Sequence, residues 1–413
     1  MKTAYSTFVT LAAGTAALAL SAPALAKAGA PVPVADGVTI DPIIDGMLRY
    51  EHVDQDDLGR DADALTLRLR GGVEVKAHGF SALAEAESTL AILDNYNDTI
   101  PGNNGYLGAE PYSVVADPEN VEVNRLQVGY SGKIGSITVG RQRIIHDDAR
   151  FVGNVGWRQN EQTFDAVRAQ GTLGPVVLDA TYSLSQRSIF GADSPNKYWD
   201  GDFVLLDGGV KVKGIAFKGF AYLLDYDERL AMSSQTYGAM AAGAIPLGGT
   251  AKIDIKLRYA RQSDYGANPI NYAADYYDAE LGVSVAGFGL KGGYEELGSD
   301  DGMAAFQTPM ATAHAFNGWA DLFLTTPSTG LRDYFGAVSK GFGDVGPLKG
   351  LKGMVAYHQF DSDVGGIDYG HEWDANLGFK VAGYGVLFKY ANYTADSFGT
   401  DTEKFWVQFG FSF

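Results

Sequence analysis

Apolar and polar residues alternate at every second position along most of this chain, and helical periodicity is nearly absent. Leu65, Leu67, Leu69, Val73 and Val75 share one parity, while Thr66, Arg68, Arg70, Glu74 and Lys76 hold the other. Ile253, Ile255, Leu257 and Tyr259 alternate with Lys252, Asp254, Lys256 and Arg258. Trp373, Ala375, Leu377, Phe379 and Val381 alternate with Glu372, Asp374, Asn376 and Lys380. The chain ends Phe405, Val407, Phe409, Phe411, Phe413 against Lys404, Gln408 and Ser412. Period two means strands with one apolar and one polar face. In a soluble sandwich the apolar face packs on a second sheet. In a membrane barrel it meets lipid and the polar face lines a lumen. Strand length separates the two. These segments run about 10–13 residues, near the roughly 9–11 of membrane strands, whereas sandwich strands run about 5–6.

The pattern predicts strands over 42–53, 64–76, 79–89, 120–130, 134–144, 161–171, 175–186, 202–213, 215–225, 235–245, 250–262, 272–286, 288–297, 331–342, 348–360, 370–381, 384–394 and 402–413. Short connections such as Ala77-His78, Gly287 and Ala382-Gly383 alternate with long ones such as 90–119, 145–160, 187–201 and 298–330. Short turns on one rim and long loops on the other is the outer-membrane arrangement, and an even count leaves both termini on the periplasmic side. The expected fold is therefore all-β, a single transmembrane antiparallel β-barrel of about 18 strands with short periplasmic turns and long extracellular loops. Met1-Lys2, an apolar run from Phe8 to Ala22 and Ala24-Leu25-Ala26 read as a secretory signal peptide over 1–26. Residues 27–41 are expected as a periplasmic N-terminal segment and 42–413 as the outer-membrane barrel. Phe413, with apolar residues at every second position behind it, is expected to engage the barrel-assembly machinery.

Composition supports this picture. The 413 residues include 53 Gly, 23 Tyr and 22 Phe but only 14 Pro, which suits a large antiparallel protein with many tight turns. A net charge of -18 argues against a nucleic-acid partner. No Cys is present, which excludes disulfides, zinc-thiolate sites and a Cys nucleophile. The six His show no metal-ligand spacing, and no nucleophile elbow or phosphate-binding loop occurs, so neither a catalytic residue nor a cofactor is expected. His146-Asp147-Asp148 could hold calcium or be a solvated loop.

Two stretches go beyond a generic barrel. One runs from Gly140-Arg141-Gln142-Arg143 through Asp147-Asp148-Ala149-Arg150-Phe151-Val152-Gly153-Asn154-Val155-Gly156-Trp157-Arg158-Gln159-Asn160-Glu161-Gln162-Thr163-Phe164-Asp165. The other is His314-Ala315-Phe316-Asn317-Gly318-Trp319-Ala320-Asp321, then Pro327 and Gly330-Leu331. Both resemble the alginate-export family of bacterial outer-membrane barrels. The resemblance implies an 18-stranded pore for an acidic polysaccharide, with a lumen constriction of arginines beside acidic residues. On this sequence it points to Arg141, Arg143, Arg158 and Arg168 with Glu161 and Asp165. Arg125, on the preceding strand, is expected to face inward.

The lumen-parity charges are mixed, however: Arg49, Arg68, Arg70, Lys211, Lys256 and Arg258 stand with Asp45, Glu74, Glu85, Glu87, Asp179, Asp278 and Asp374. An arginine row can equally be a ladder of ion pairs with facing carboxylates. Parity also conflicts. Ile137 and Val139 share parity with Arg141 and Arg143, so alternation aims these arginines at lipid unless a bulge at Gly140 or departure from the bilayer turns them. Loop 298–330, with Phe306, Met310, Phe316, Trp319, Leu322 and Phe323, is too apolar to stand in water. It is expected to fold into or over the pore, with Phe316, Asn317, Trp319 and Asp321 as constricting residues. Loop 90–119, with three prolines, reads as a mobile cover. The expected function is passive transport of an anionic sugar or small anionic solute. A general or substrate-specific porin for small nutrients is the alternative, and a rim-catalysing barrel enzyme the outlying one.

Overall fold

The computed structural model describes residues 31–102 and 111–412. Eighteen antiparallel strands close into one barrel: β2 (Val38–Gln55), β3 (Ala62–Ala77), β4 (Phe80–Asn95), β5 (Asn120–Ser131), β6 (Gly135–Gln142), β7 (Thr163–Leu173), β8 (Val176–Arg187), β9 (Tyr198–Val212), β10 (Ile215–Tyr226), β11 (Ser234–Gly248), β12 (Ala251–Asp264), β13 (Ala273–Val285), β14 (Phe288–Leu297), β17 (Leu331–Val345), β18 (Leu348–Asp361), β19 (Asp368–Val381), β20 (Tyr384–Ala395) and β21 (Thr402–Ser412). Consecutive strands pair, and β2 closes the ring against β21 from Asp45↔Ser412 to Gln55↔Thr402. A short strand β1 (Val32–Ala35) folds back on the start of β2, and β15 (Ser299–Asp300) with β16 (Ala304–Ala305) form a small hairpin inside a long loop.

The alternation read from the sequence sorts the two faces. Leu257, Leu281, Leu290 and Val338 point outward, each more than half exposed, while Lys256, Arg258, Glu372 and Asp374 point inward and are buried. An exposed belt of Leu, Val, Phe and Tyr around a closed barrel is a lipid-facing surface. Closure satisfies the strand edges, which is what permits such a sheet to cross a bilayer. Inside, the polar parity forms cross-strand ion pairs: Arg68 with Asp45, Arg125 with Glu85, Arg168 with Asp179, Lys291 with Glu280.

Three expectations need correction. The barrel begins at Val38, not at 42, because Val38–Pro42 already pair with Ala77–Val73. Loop 90–119 is no loose cover in its described part. Strand β4 continues to Asn95, and Tyr96 and Val115 are buried against Val53, Ala62 and Ala64, with Tyr96 Oη donating to the Asp117 carbonyl at 2.8 Å. His146-Asp147-Asp148 is neither a solvated loop nor free for calcium. It lies inside the barrel, where Lys218 takes Asp147, Lys256 and Arg258 take Asp148, and His146 Nδ1 stands 2.7 Å from Asp207. The signal peptide and Phe413 lie outside the described residues.

Candidate functional site

Two loops leave the long-loop rim and fold into the lumen. The first, 143–162, joins β6 to β7; the second, 298–330, joins β14 to β17. Their apolar residues draw them in. Val152 and Trp157 from the first, and Phe306, Met310, Trp319 and Phe323 from the second, share one buried cluster with inward residues of the wall, among them Tyr276, Phe360, Tyr393 and Trp406. Phe323 sits 4.7 Å from Phe360 between ring centroids, and Trp157 sits 5.7 Å from Trp406. The loops also meet each other. Val152 and Met310 form a parallel β-bridge, Gly153 N–H donates to the Met310 carbonyl at 2.8 Å, and Thr312 N–H donates to the Ala149 carbonyl at 3.0 Å. Val155, held at φ +49, donates its N–H to Thr312 Oγ1 at 3.1 Å. A β-branched residue in that conformation is strained, and the second loop is what holds it there.

Charged groups pin the loops to the wall. Arg150 donates to Glu295 of β14 at 2.6 Å, to Thr308 at 3.0 Å and to Asn317 at 3.1 Å. Arg158 reaches Glu51 of β2 and Asp321 of the second loop, each at 3.1 Å. Asp321 also meets Lys404 at 3.2 Å and His314 Nδ1 at 2.7 Å. His314 Nε2 in turn lies 2.5 Å from Lys389 Nζ, so the neutral Nδ1–H tautomer accepts from Lys389 and donates to Asp321. Burial alone would raise the Asp321 carboxyl, but His314, Lys404 and Arg158 around it hold it well below the ordinary carboxylate range. Burial would likewise raise Asp148, and Arg258 and Lys256 hold it low. Glu372 of β19 accepts the backbone N–H groups of Trp319 and, at 2.8 Å, Ala320.

The segment His314–Leu322 divides the lumen. On the long-loop side is a vestibule of about 1340 Å³, open mouth included, with Arg158, His314, Asp321 and Lys404 among its lining residues. On the periplasmic side is a smaller inner cavity, about 760 Å³ with the open lumen included, lined by Phe316, Asn317 and Trp319 from the loop and by Lys256, Glu280, Phe335, Met354 and Asp374 from the wall. All four residues singled out in the second loop therefore sit in the partition.

The arginine cluster divides. Arg143 and Glu161 meet inside at 2.9 Å, because the chain leaves the ladder after Gln142. Arg158 is buried between the loops, and Arg125 faces inward onto Glu85. Arg168 also faces inward but sits lower, 3.0 Å from Asp179. Arg141 and Asp165 do not line the pore. They pair with each other at 2.8 Å on the outward face, in line with exposed Ile137, Val139 and Val167. Gly140 makes no bulge: its register with Gln127 and Ala166 is unbroken, so parity holds through Arg141. Gly140 is there because its φ of +113 would bring a Cβ within 2.3 Å of the Leu126 carbonyl oxygen. Arg49, expected on the lumen parity, is buried inside as read, whereas Arg150, Lys389 and Glu372, which also carry much of the inner network, are not among the expected site residues; inward parity is the available signal for Lys389 and Glu372.

Residues 45–190 match the family model for alginate export, which takes in the first lumen loop and the strands around it. The match covers about a third of the chain, and over that stretch the chain is similar to the alginate-export family. No curated protein matches the chain significantly. Among solved structures, Pseudomonas aeruginosa OccK9 (OpdG) is similar with a TM-score of 0.71 at 12% identity, over 90% of this chain and 98% of that one. Acinetobacter baumannii OccAB3 gives 0.68 at 15%, over 90% and 100%. Pseudomonas aeruginosa OpdK, crystallised with vanillate, gives 0.69 at 16%, over 90% and 98%. At these identities the likeness is one of fold. The alginate-export match and the 18-stranded barrel with its lipid-facing belt make this an outer-membrane channel protein, and passive transport is the activity that architecture supports.

Proposed function

We propose that this outer-membrane barrel is a substrate-selective diffusion channel for small solutes. The observation that carries the reading is the bridge between Val152 and Met310, which joins two loops inside the lumen, with open space on either side of the partition they form. A wide barrel narrowed by packed, ion-paired loops selects by size and by the few polar groups at the narrowing. The arginines favour this reading over a polyanion path. Arg125, Arg143, Arg158 and Arg168 each already hold a carboxylate, so little of their charge is free for a passing sugar acid.

The family match favours a second reading, passage of an acidic polysaccharide. That requires both loops to swing out and those arginines to exchange their carboxylates for the polymer's. Reconstitution separates the two. A small-solute channel passes amino acids and monosaccharides in vesicle swelling and ignores alginate oligomers. A polysaccharide channel shows current block by alginate oligomers that exceeds block by neutral oligomers of equal length.

A further inference from the structure

The inner cavity contains one acidic group that its surroundings leave unmatched. Asp374 lines the cavity and is 1% exposed, and neither of its carboxylate oxygens accepts a well-formed hydrogen bond among the described residues; its side chain lies beside the Glu372 carboxyl and the backbone of Trp319. The other lining carboxylates are matched: Asp148 by Lys256 and Arg258, Glu280 by Lys256 and Lys291, Glu295 by Arg150, and Asp333 by His358 Nδ1 at 3.0 Å. His358 Nε2 remains 3.8 Å from Asp374, beyond hydrogen-bond distance.

Lys389, on the neighbouring strand β20, is directed elsewhere. Its ammonium lies 3.7 Å from the Trp319 ring centroid and 4.1 Å from that of Trp157, and bonds His314. Glu372, two residues before Asp374 on the same face, gives Oε1 to the loop and has Oε2 without a partner.

A buried carboxylate without donors costs several kcal/mol, so such a group either holds its proton or is matched by a cation that enters. A hard divalent cation wants six or more oxygens. Here there are one free carboxylate and one further oxygen, beside walls of Phe316, Trp319, Phe335 and Met354. That suits a cation which brings its own apolar body, with aromatic faces adding to its attraction. We propose that the inner cavity binds an organic ammonium solute, its N–H groups on Asp374 and its apolar part against Phe335 and Met354. The proposal rests on the small-solute reading and names the substrate class for that channel.

The test uses the full-length protein in a planar bilayer at neutral pH, with 2-phenylethylammonium as probe and 2-phenylethanol and phenylacetate as its neutral and anionic counterparts. The ammonium is expected to interrupt the current at concentrations about tenfold or more below either counterpart, the scale of one charged hydrogen bond. D374N is expected to raise the blocking concentration about tenfold or more, and D374E to restore part of the effect. Equal block by the alcohol in the unaltered protein, or block unchanged in D374N, overturns the assignment. A protein that conducts but treats the three probes alike fails only this proposal. A protein that conducts nothing and passes no small solute into vesicles fails the channel reading beneath it.

Discussion

Val152 and Met310, 158 positions apart in the sequence, form a parallel β-bridge inside the barrel. Neither residue belongs to the wall. The bridge makes one partition from two loops, and removing either half should open the lumen. Deleting residues 304–324 takes away Met310, Trp319 and Asp321 together, and single-channel conductance should rise several-fold while the barrel keeps its resistance to SDS at room temperature. Unchanged conductance from an intact barrel would refute the partition.

A finer perturbation acts at Gly318. Its φ is +82, and a Cβ there would stand 2.2 Å from a Glu372 carboxylate oxygen. Gly318→Ala therefore combines backbone strain of about 1–2 kcal/mol with a clash at the acceptor of the Trp319 and Ala320 N–H groups. The second loop should dock less firmly, seen as longer and more frequent high-conductance events. Noise and mean current like those of the unaltered channel would show that Glu372 is not a latch.

The wall was legible in the sequence and much of its contents was not, for a physical reason. Strands are written locally: Leu65, Leu67 and Leu69 against Arg68 and Arg70 fix the facing of β3 without reference to any distant residue, and the eighteen expected strands correspond to the eighteen observed. The apolar content of loop 298–330 also showed that it could not stand in water. Which surface it would cover depends on Tyr276, Phe360 and Tyr393, brought together only by closure of the barrel. The inward fate of His146-Asp147-Asp148 was hidden because its partners Lys218, Lys256 and Arg258 lie on strands far along the chain. At Arg141 the local pattern alone was the better guide, since its parity with Ile137 and Val139 placed it outside.

The docking of the second loop should depend on pH through His314. Burial holds its imidazole well below the ordinary value; Asp321 opposes this and Lys389 reinforces it. Once the loop leaves, the imidazole returns to an ordinary pKa near 6.5, so the undocked state binds a proton that the docked state does not. Docking then weakens as pH falls below about 6.5, by up to about 1.4 kcal/mol per pH unit. Asp321 acts with the opposite shift. Its depressed carboxyl contributes fully above the ordinary carboxylate value of about 3.9 and is lost only below it, so it adds no slope between pH 5 and 8. Open events should be more frequent at pH 5 than at pH 7.5, and His314→Gln should flatten the difference. A pH-independent record from the unaltered channel would remove His314 from the docking equilibrium.

Arg158 and Arg141 should behave very differently although both belong to the family-matched stretch. Arg158 is buried, with Glu51, Asp117 and Asp321 at 3.1, 3.7 and 3.1 Å. Arg158→Ala leaves these buried carboxylates short of a cation, at a cost of up to about 3–5 kcal/mol less whatever water from the vestibule recovers. Arg49 at 3.6 Å from Asp117 and Lys404 at 3.2 Å from Asp321 offset part of it. Lys404 itself stands at the extracellular start of β21 and inside this network, so Lys404→Ala should loosen the second loop in the same direction. Arg141 faces outward and pairs with Asp165 away from the lumen, so Arg141→Ala should leave ion selectivity unchanged. Urea titration of the barrel in detergent gives the stabilities, and reversal potentials in a salt gradient give the selectivities. A selectivity shift in Arg141→Ala as large as that in Arg158→Ala would mean that Arg141 turns into the lumen, and would return the arginine row to the pore wall.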